Sequence, residues 1–138
     1  MRYLLDTNAC IALINGKPHT VRERFARAAE SGDTVATSTV VVFELWYGVA
    51  KSARQEANEG KLSAFLAGPV DLLDFEEEDA HLAGTIRAGL ERAGTPIGAY
   101  DLLIAAQGLR LGATVITANS SEFSRVPSLS WEDWATGS

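Results

Sequence analysis

Short apolar runs separated by longer stretches of helical period organise this chain. That alternation predicts an α/β fold with a mainly parallel central sheet flanked by helices. Arg2 to Leu5 reads as the opening strand and ends at Asp6. Thr7 or Asn8 is positioned to cap a first helix through Ile14, which Asn15-Gly16 stops, and Pro18 to start a second helix running to about Glu30. Ser31-Gly32-Asp33 makes a turn into a short strand, Thr34 to Thr37.

Val40-Val41-Val42 is β-branched and suits either a longer strand or a helix; the reading taken is a helix from Val40 to Ala50 capped by Ser38. On that helix Phe43, Trp46 and Val49 or Ala50 form the expected apolar stripe. A further helix follows from Arg54 to Leu66, Gly68-Pro69 breaks it, and Val70 to Leu73 is a third strand. Glu76-Glu77-Glu78-Asp79 opens a long helix to Arg92, where negative charge suits the helix dipole. Gly94, Pro96 and Gly98 give an irregular loop before a helix from Asp101 to Leu111 ended by Gly112, and Ala113 to Thr117 is the next strand. Asn119 to Phe123 reads as a loop or short turn, and Ser128 to Trp131 as a last strand.

A chain of 138 residues with 46% hydrophobic positions and no internal repeat or linker is expected to form a single domain over residues 1–138. The formal net charge of -6 excludes a broad basic surface that holds nucleic acid by counterion release alone. It leaves room for a nuclease, because carboxylates that bind cations make their own region acidic and the cations then attract phosphate. The single cysteine, Cys10, sits in an apolar run and is expected to pack as a small hydrophobe in a reducing compartment. With no apolar run approaching about 18 residues and no signal-peptide pattern, a cytoplasmic location without membrane contact is expected.

Asp6 ends an apolar strand and is followed by a helix, which places its carboxylate at the carboxyl edge of a parallel sheet, where ligands gather. Asp101 follows a Gly/Pro-rich loop at a helix start, and an ordinary helix cap is the competing reading. Glu44 lies among Val41, Val42, Phe43, Leu45 and Trp46, a setting in which an ionised carboxylate needs a counter-charge: a metal ion, an Arg, or a helix edge open to solvent. If the three meet, their repulsion demands a cation, and all-oxygen ligands favour magnesium or manganese over zinc.

Leu4-Leu5-Asp6-Thr7-Asn8, the segment Ser38 to Gly48 with Glu44 and Leu45, and Pro96 to Ala106 with Asp101 resemble successive motifs of PIN domains, most closely those of VapC-type toxins. The tail, Val115 to Phe123 with Trp131-Glu132-Asp133-Trp134, continues the likeness across essentially the whole chain. The resemblance implies a PIN-like fold and a Mg2+- or Mn2+-dependent endoribonuclease acting on structured RNA such as tRNA or rRNA. It implies that Asp6, Glu44 and Asp101 hold the metal, with a fourth position falling on Asn119 or on Glu122. Thr7, Asn8, Ser38 and Thr117 match polar positions that support those ligands, or serve as caps and strand-end hydroxyls. It also implies a cognate VapB-like antitoxin covering the active site, a homodimer, and a toxin-antitoxin hetero-oligomer.

Two other readings compete. A phosphate-handling α/β enzyme with Asp6 as nucleophile would ordinarily want a second Asp where Asn8 stands, and an acidic-cleft binding module would dock a basic partner without catalysis. His19 and His81 lack ligand-spaced partners and read as surface residues; Tyr100 reads as core or as a base-stacking ring, and Trp131 and Trp134 as core or interface anchors. Lys51, Arg54, Lys61, Arg87, Arg92, Arg110 and Arg125 are rim cations expected mostly to face solvent. Phe43, Trp46 and Tyr47 exceed what one helix face buries, which points to partner contacts.

Overall fold

The computed structural model describes residues 1–136; the last two positions of the expected domain, Gly137 and Ser138, lie outside the described residues. The order is β1 (Arg2–Leu5), α1 (Thr7–Asn15), α2 (His19–Glu30), β2 (Thr34–Ser38), α3 (Thr39–Lys51) and α4 (Gln55–Leu66), then β3 (Asp71–Leu73), α5 (Glu77–Arg92), α6 (Ala99–Leu111), β4 (Thr114–Ile116), α7 (Ser120–Phe123) and β5 (Ser130–Glu132).

The sheet runs β3-β2-β1-β4-β5, and every pairing is parallel. Parallel strands need helical crossovers that cover both faces, so the central strands read as continuous apolar runs. Leu4, Leu5, Ala36, Val115 and Ile116 are accordingly all but inaccessible. Helix α6 lies close on the sheet through Gly108: a Cβ built there would stand 2.8 Å from Val115 Cγ2. Among the described residues, no helix is long and apolar enough to cross a membrane.

Several boundaries differ from expectation for local reasons. Asp6, rather than Thr7 or Asn8, caps α1, its side chain accepting from Ala9 N. Ser38 caps α3 as expected, which settles Val40-Val41-Val42 as helix. The last strand starts two residues later than expected, at Ser130, because Ser128 takes a left-handed φ of 67° that breaks an extended run. The apolar stripe of α3 is also misassigned: Val41 and Leu45 are buried, while Phe43, Trp46 and Tyr47 are exposed. Tyr100 is exposed too and packs on Phe43, with ring centroids 5.7 Å apart, so it is not a core residue.

The α5–α6 hairpin is fastened by an interaction the sequence did not announce. Asp79 is fully buried; it accepts from Glu76 N at 2.8 Å and forms a two-point ion pair with Arg110, whose expected solvent-facing role is thereby corrected. Trp134 is core, and Cys10 is buried, its thiol pushed up to about 12 by burial.

Candidate metal centre

From β1 the chain steps through β2 to β3 on one side, and β4 and β5 lie on the other. The carboxyl ends of β1 and β4 therefore flank the switch point of the sheet, the crevice where open α/β folds bind ligands. Asp6 is the first residue past β1, and its backbone N–H donates to Ile116 O of β4 over 3.1 Å. Its carboxylate is buried, accepts from Ala9 N at 2.8 Å and takes a hydrogen bond from Thr117. Burial raises the Asp6 pKa against the lowering effect of those two bonds, and the charges of Glu44 and Asp133 push it further up.

Asp101 arrives from α6. Gly98 is the cap of that helix and Asp101 its third residue, so the cap reading fails. Its Oδ2 instead accepts from Asn119 Nδ2 at 2.8 Å. Burial pushes its pKa up to about 6, aided by a hydrogen bond shared with Glu122 and by the charges of Asp6 and Glu122, and opposed by Asn119. A cation held here would offset both the burial and the neighbouring negative charges that raise this pKa.

Glu122, on α7, accepts from Gly98 N at 2.8 Å and from Asn119 Nδ2. The Gly98 amide, then Asn119, hold its pKa below the usual carboxylate range. It is therefore tied in place rather than a solvated charge on a turn. Both residues proposed for the fourth corner stand beside Asp101: Asn119 as a donor bridging two carboxylates, Glu122 as the carboxylate. Thr117 completes the line, since its hydroxyl meets Asp6 and accepts from Asn119 N at 2.9 Å. A hydrogen-bonded chain thus joins Asp6, Thr117, Asn119, Asp101 and Glu122.

Glu44 reaches the same region from α3, and Thr7 Oγ1 donates to its Oε1 over 2.6 Å. The expectation that apolar surroundings force a counter-charge on Glu44 is corrected: it is only half-buried, because the helix turns Leu45 inward and Glu44 toward the cleft. Ser38 is buried as the α3 cap, with Oγ accepting from Val40 N, and Asn8 is exposed.

Sequence reasoning passed over Asp133. It follows β5, at the same carboxyl edge of the sheet, and its charge is felt at Asp6. The signal was positional: an acid directly after the last parallel strand.

Among the described residues, no group of three or more His, Cys, Asp or Glu side chains is arranged to hold a metal ion as it stands. The donor chemistry nevertheless fits a hard dication. It offers only oxygens, carries excess negative charge, and holds a raised-pKa Asp101 beside a buried Asp6. Magnesium-like ions are bound through one or two carboxylates and keep several waters, so an open set suits them better than a closed cage.

Comparison with known proteins agrees with the fold. The PIN domain family model matches residues 3–129. Ribonuclease VapC2 of Rickettsia felis is 40% identical over 134 residues, covering 97% of this chain and 98% of that protein. The tRNA(fMet)-specific endonuclease VapC of Salmonella typhimurium is 38% identical, again over 97% of this chain and 98% of its own. The structure of VapBC2 from Rickettsia felis bound to a DNA fragment from their promoter matches with a TM-score of 0.90 at 39% identity, over 97% of this chain and 99% of that one.

Proposed function

Because this chain belongs to the PIN-domain family, we propose that it is the toxin of a toxin-antitoxin pair: a divalent-metal-dependent endoribonuclease, one PIN unit over the whole chain, restrained by a VapB-like antitoxin. What supports this reading is the carboxyl edge of the sheet at its switch point, where buried Asp6 feels the charge of Glu44 and where Asp101, bonded to Asn119, feels the charges of Asp6 and Glu122.

Asp6, Asp101 and Glu44 would hold the ion, and Mg2+ or Mn2+ fits the all-oxygen set. Bound there, such an ion lowers the pKa of an attacking water and neutralises charge on the phosphodiester. The chain's own residues supply the frame. Thr117 and the α1 amide of Ala9 fix the Asp6 carboxylate. Thr7 orients Glu44, and Asn119 ties Asp101 and Glu122 together by donating to both. Structured RNA such as tRNA is the proposed substrate, by analogy with the tRNA(fMet)-specific relative.

An antitoxin finds a suitable surface beside the acids. A groove of about 260 Å³ between α1, α3 and α4 is lined by Ile11, Ile14, Leu45 and Leu62, with Glu44 at its edge. An amphipathic segment fits the apolar floor, and an Arg or Lys on it fits the carboxylates. The exposed rings of Phe43, Trp46, Tyr47 and Tyr100 support a second contact, with another copy of the chain in a homodimer and hetero-oligomer.

The test is cleavage of structured RNAs by the purified chain with magnesium or manganese, with chelator, and with antitoxin added back. Metal-dependent cleavage abolished by chelator and by antitoxin is expected. Undiminished cleavage in chelator overturns the metal reading, and unaltered cleavage with bound antitoxin overturns the inhibition.

A further inference from the structure

Meeting the α1–α3–α4 groove at Ile11 is a second concavity, of about 210 Å³, bounded by α1, the start of α2 and the segment after β5. Its lining is mostly apolar, with Ala12, Ile116 and Trp134 among it, and its polar members are Asn8, Lys17, Thr117 and Asp133.

The pocket is firmly built. Trp134 Nε1 donates to Glu132 Oε1 over 3.1 Å, Arg24 lies over the indole at 5.9 Å, and Tyr3 meets it edge-on at 5.2 Å. Thr20 Oγ1 donates to Ala135 O over 2.9 Å and closes the wall between α2 and the chain end. The pocket is also continuous with the acidic centre. Thr117 lines it and hydrogen-bonds Asp6, and the Asp133 charge reaches Asp6.

We infer that this pocket receives an unpaired nucleobase of the RNA chain, from a nucleotide next to the one whose phosphodiester is cut, and that Asp133 reads an amino or imino N–H on its edge. The inference rests on the ribonuclease reading and names a base-selecting subsite for it. A concavity of this size with a mostly apolar lining and a few hydrogen-bonding groups matches a nucleobase, which is apolar on its faces and polar at its edges. Asp133 Oδ1 accepts from Ala135 N at 2.9 Å, which fixes the carboxylate. A carboxylate accepts from base amino groups. The Lys17 ammonium, exposed at the mouth and free of ion pairs among the described residues, is placed for a backbone phosphate.

The experiment uses an RNA that the wild-type chain cleaves at a mapped bond, synthesised with each nucleotide within two of that bond made abasic in turn. One abasic position is expected to lower kcat/KM about tenfold in the wild type, as loss of one stacked base does. Ala12→Leu, which adds bulk to the lining, should cleave the intact RNA about tenfold more slowly and lose its sensitivity to that position. Asp133→Asn, outside the buried core, should change which base is preferred there while its melting temperature stays near wild type. Equal abasic profiles in wild type and Ala12→Leu, or an unchanged base preference in Asp133→Asn, would overturn the pocket while leaving the ribonuclease standing. No cleavage of any RNA by the wild type would overturn both.

Discussion

Asn119 holds Asp101 by a single donated hydrogen bond, Nδ2 to Oδ2 at 2.8 Å, and the same amide nitrogen also donates to Glu122. One neutral side chain therefore donates to both members of a carboxyl pair whose charges would otherwise repel. Asn119→Asp removes that donor and adds a charge. The metal-free protein should lose about 1–3 kcal/mol of stability at neutral pH, and magnesium should raise its melting temperature more than it raises the wild type's. Melting curves with and without metal check this; equal metal-induced shifts would contradict the bridging role.

The raised pKa values give a pH signature with a definite sign. Asp101 titrates near 6 against an ordinary 3.8, and Asp6 is also raised, so in the metal-free fold both bind protons more tightly than in the unfolded chain. The Asp101 contribution is fully present below the ordinary carboxylate pKa and is lost as pH rises through about 6, and the Asp6 contribution is lost in the same direction. Glu122, held low, works in the opposite direction and loses its contribution only in more acidic solution. The metal-induced rise in melting temperature should therefore be large at pH 7.5 and small at pH 5, where metal competes with bound protons. A shift independent of pH across that window would be inconsistent with protonated carboxyls at the site.

Arg110 is the counter-ion of a fully buried Asp79. Arg110→Ala strands that carboxylate and should cost about 3 kcal/mol or more. Urea unfolding of Asp79→Leu, of Arg110→Met and of the double Asp79→Leu/Arg110→Met separates the terms. The double variant should recover most of the loss, and additive losses would show that the pair does not act as a unit.

Gly108 sets how closely α6, and with it Asp101, approaches β4. Gly108→Ala should destabilise by about 1–3 kcal/mol, because Val115 has no room to retreat in a closed core. A variant as stable as wild type would mean the helix can lift from the sheet without cost.

The alternation of apolar strands with helical segments was legible because burial of both sheet faces leaves short hydrophobic runs at β1 and β4. Asp6 was legible for the same reason: an acid directly after an apolar strand stands out. What sequence did not carry was the azimuth of side chains around α3. Two overlapping apolar faces, Val41 with Leu45 and Phe43 with Trp46, satisfy the same period, and only packing against α1 and α4 selects the first. Glu44 was consequently placed in an apolar environment when its half-exposed side chain meets Thr7. The Asp79–Arg110 pair, 31 residues apart, and the approach of Asp133 to Asp6 depend on tertiary contact that no local pattern encodes.

Equilibrium titration with Mn2+, followed by the loss of free-ion paramagnetic resonance signal, tests the central claim most directly. Wild type should bind manganese at neutral pH, and Asp6→Asn and Asp101→Asn, each confirmed folded by circular dichroism, should bind at least about tenfold more weakly. Binding to both folded variants as tight as to wild type would contradict the assignment of these carboxylates as the metal centre.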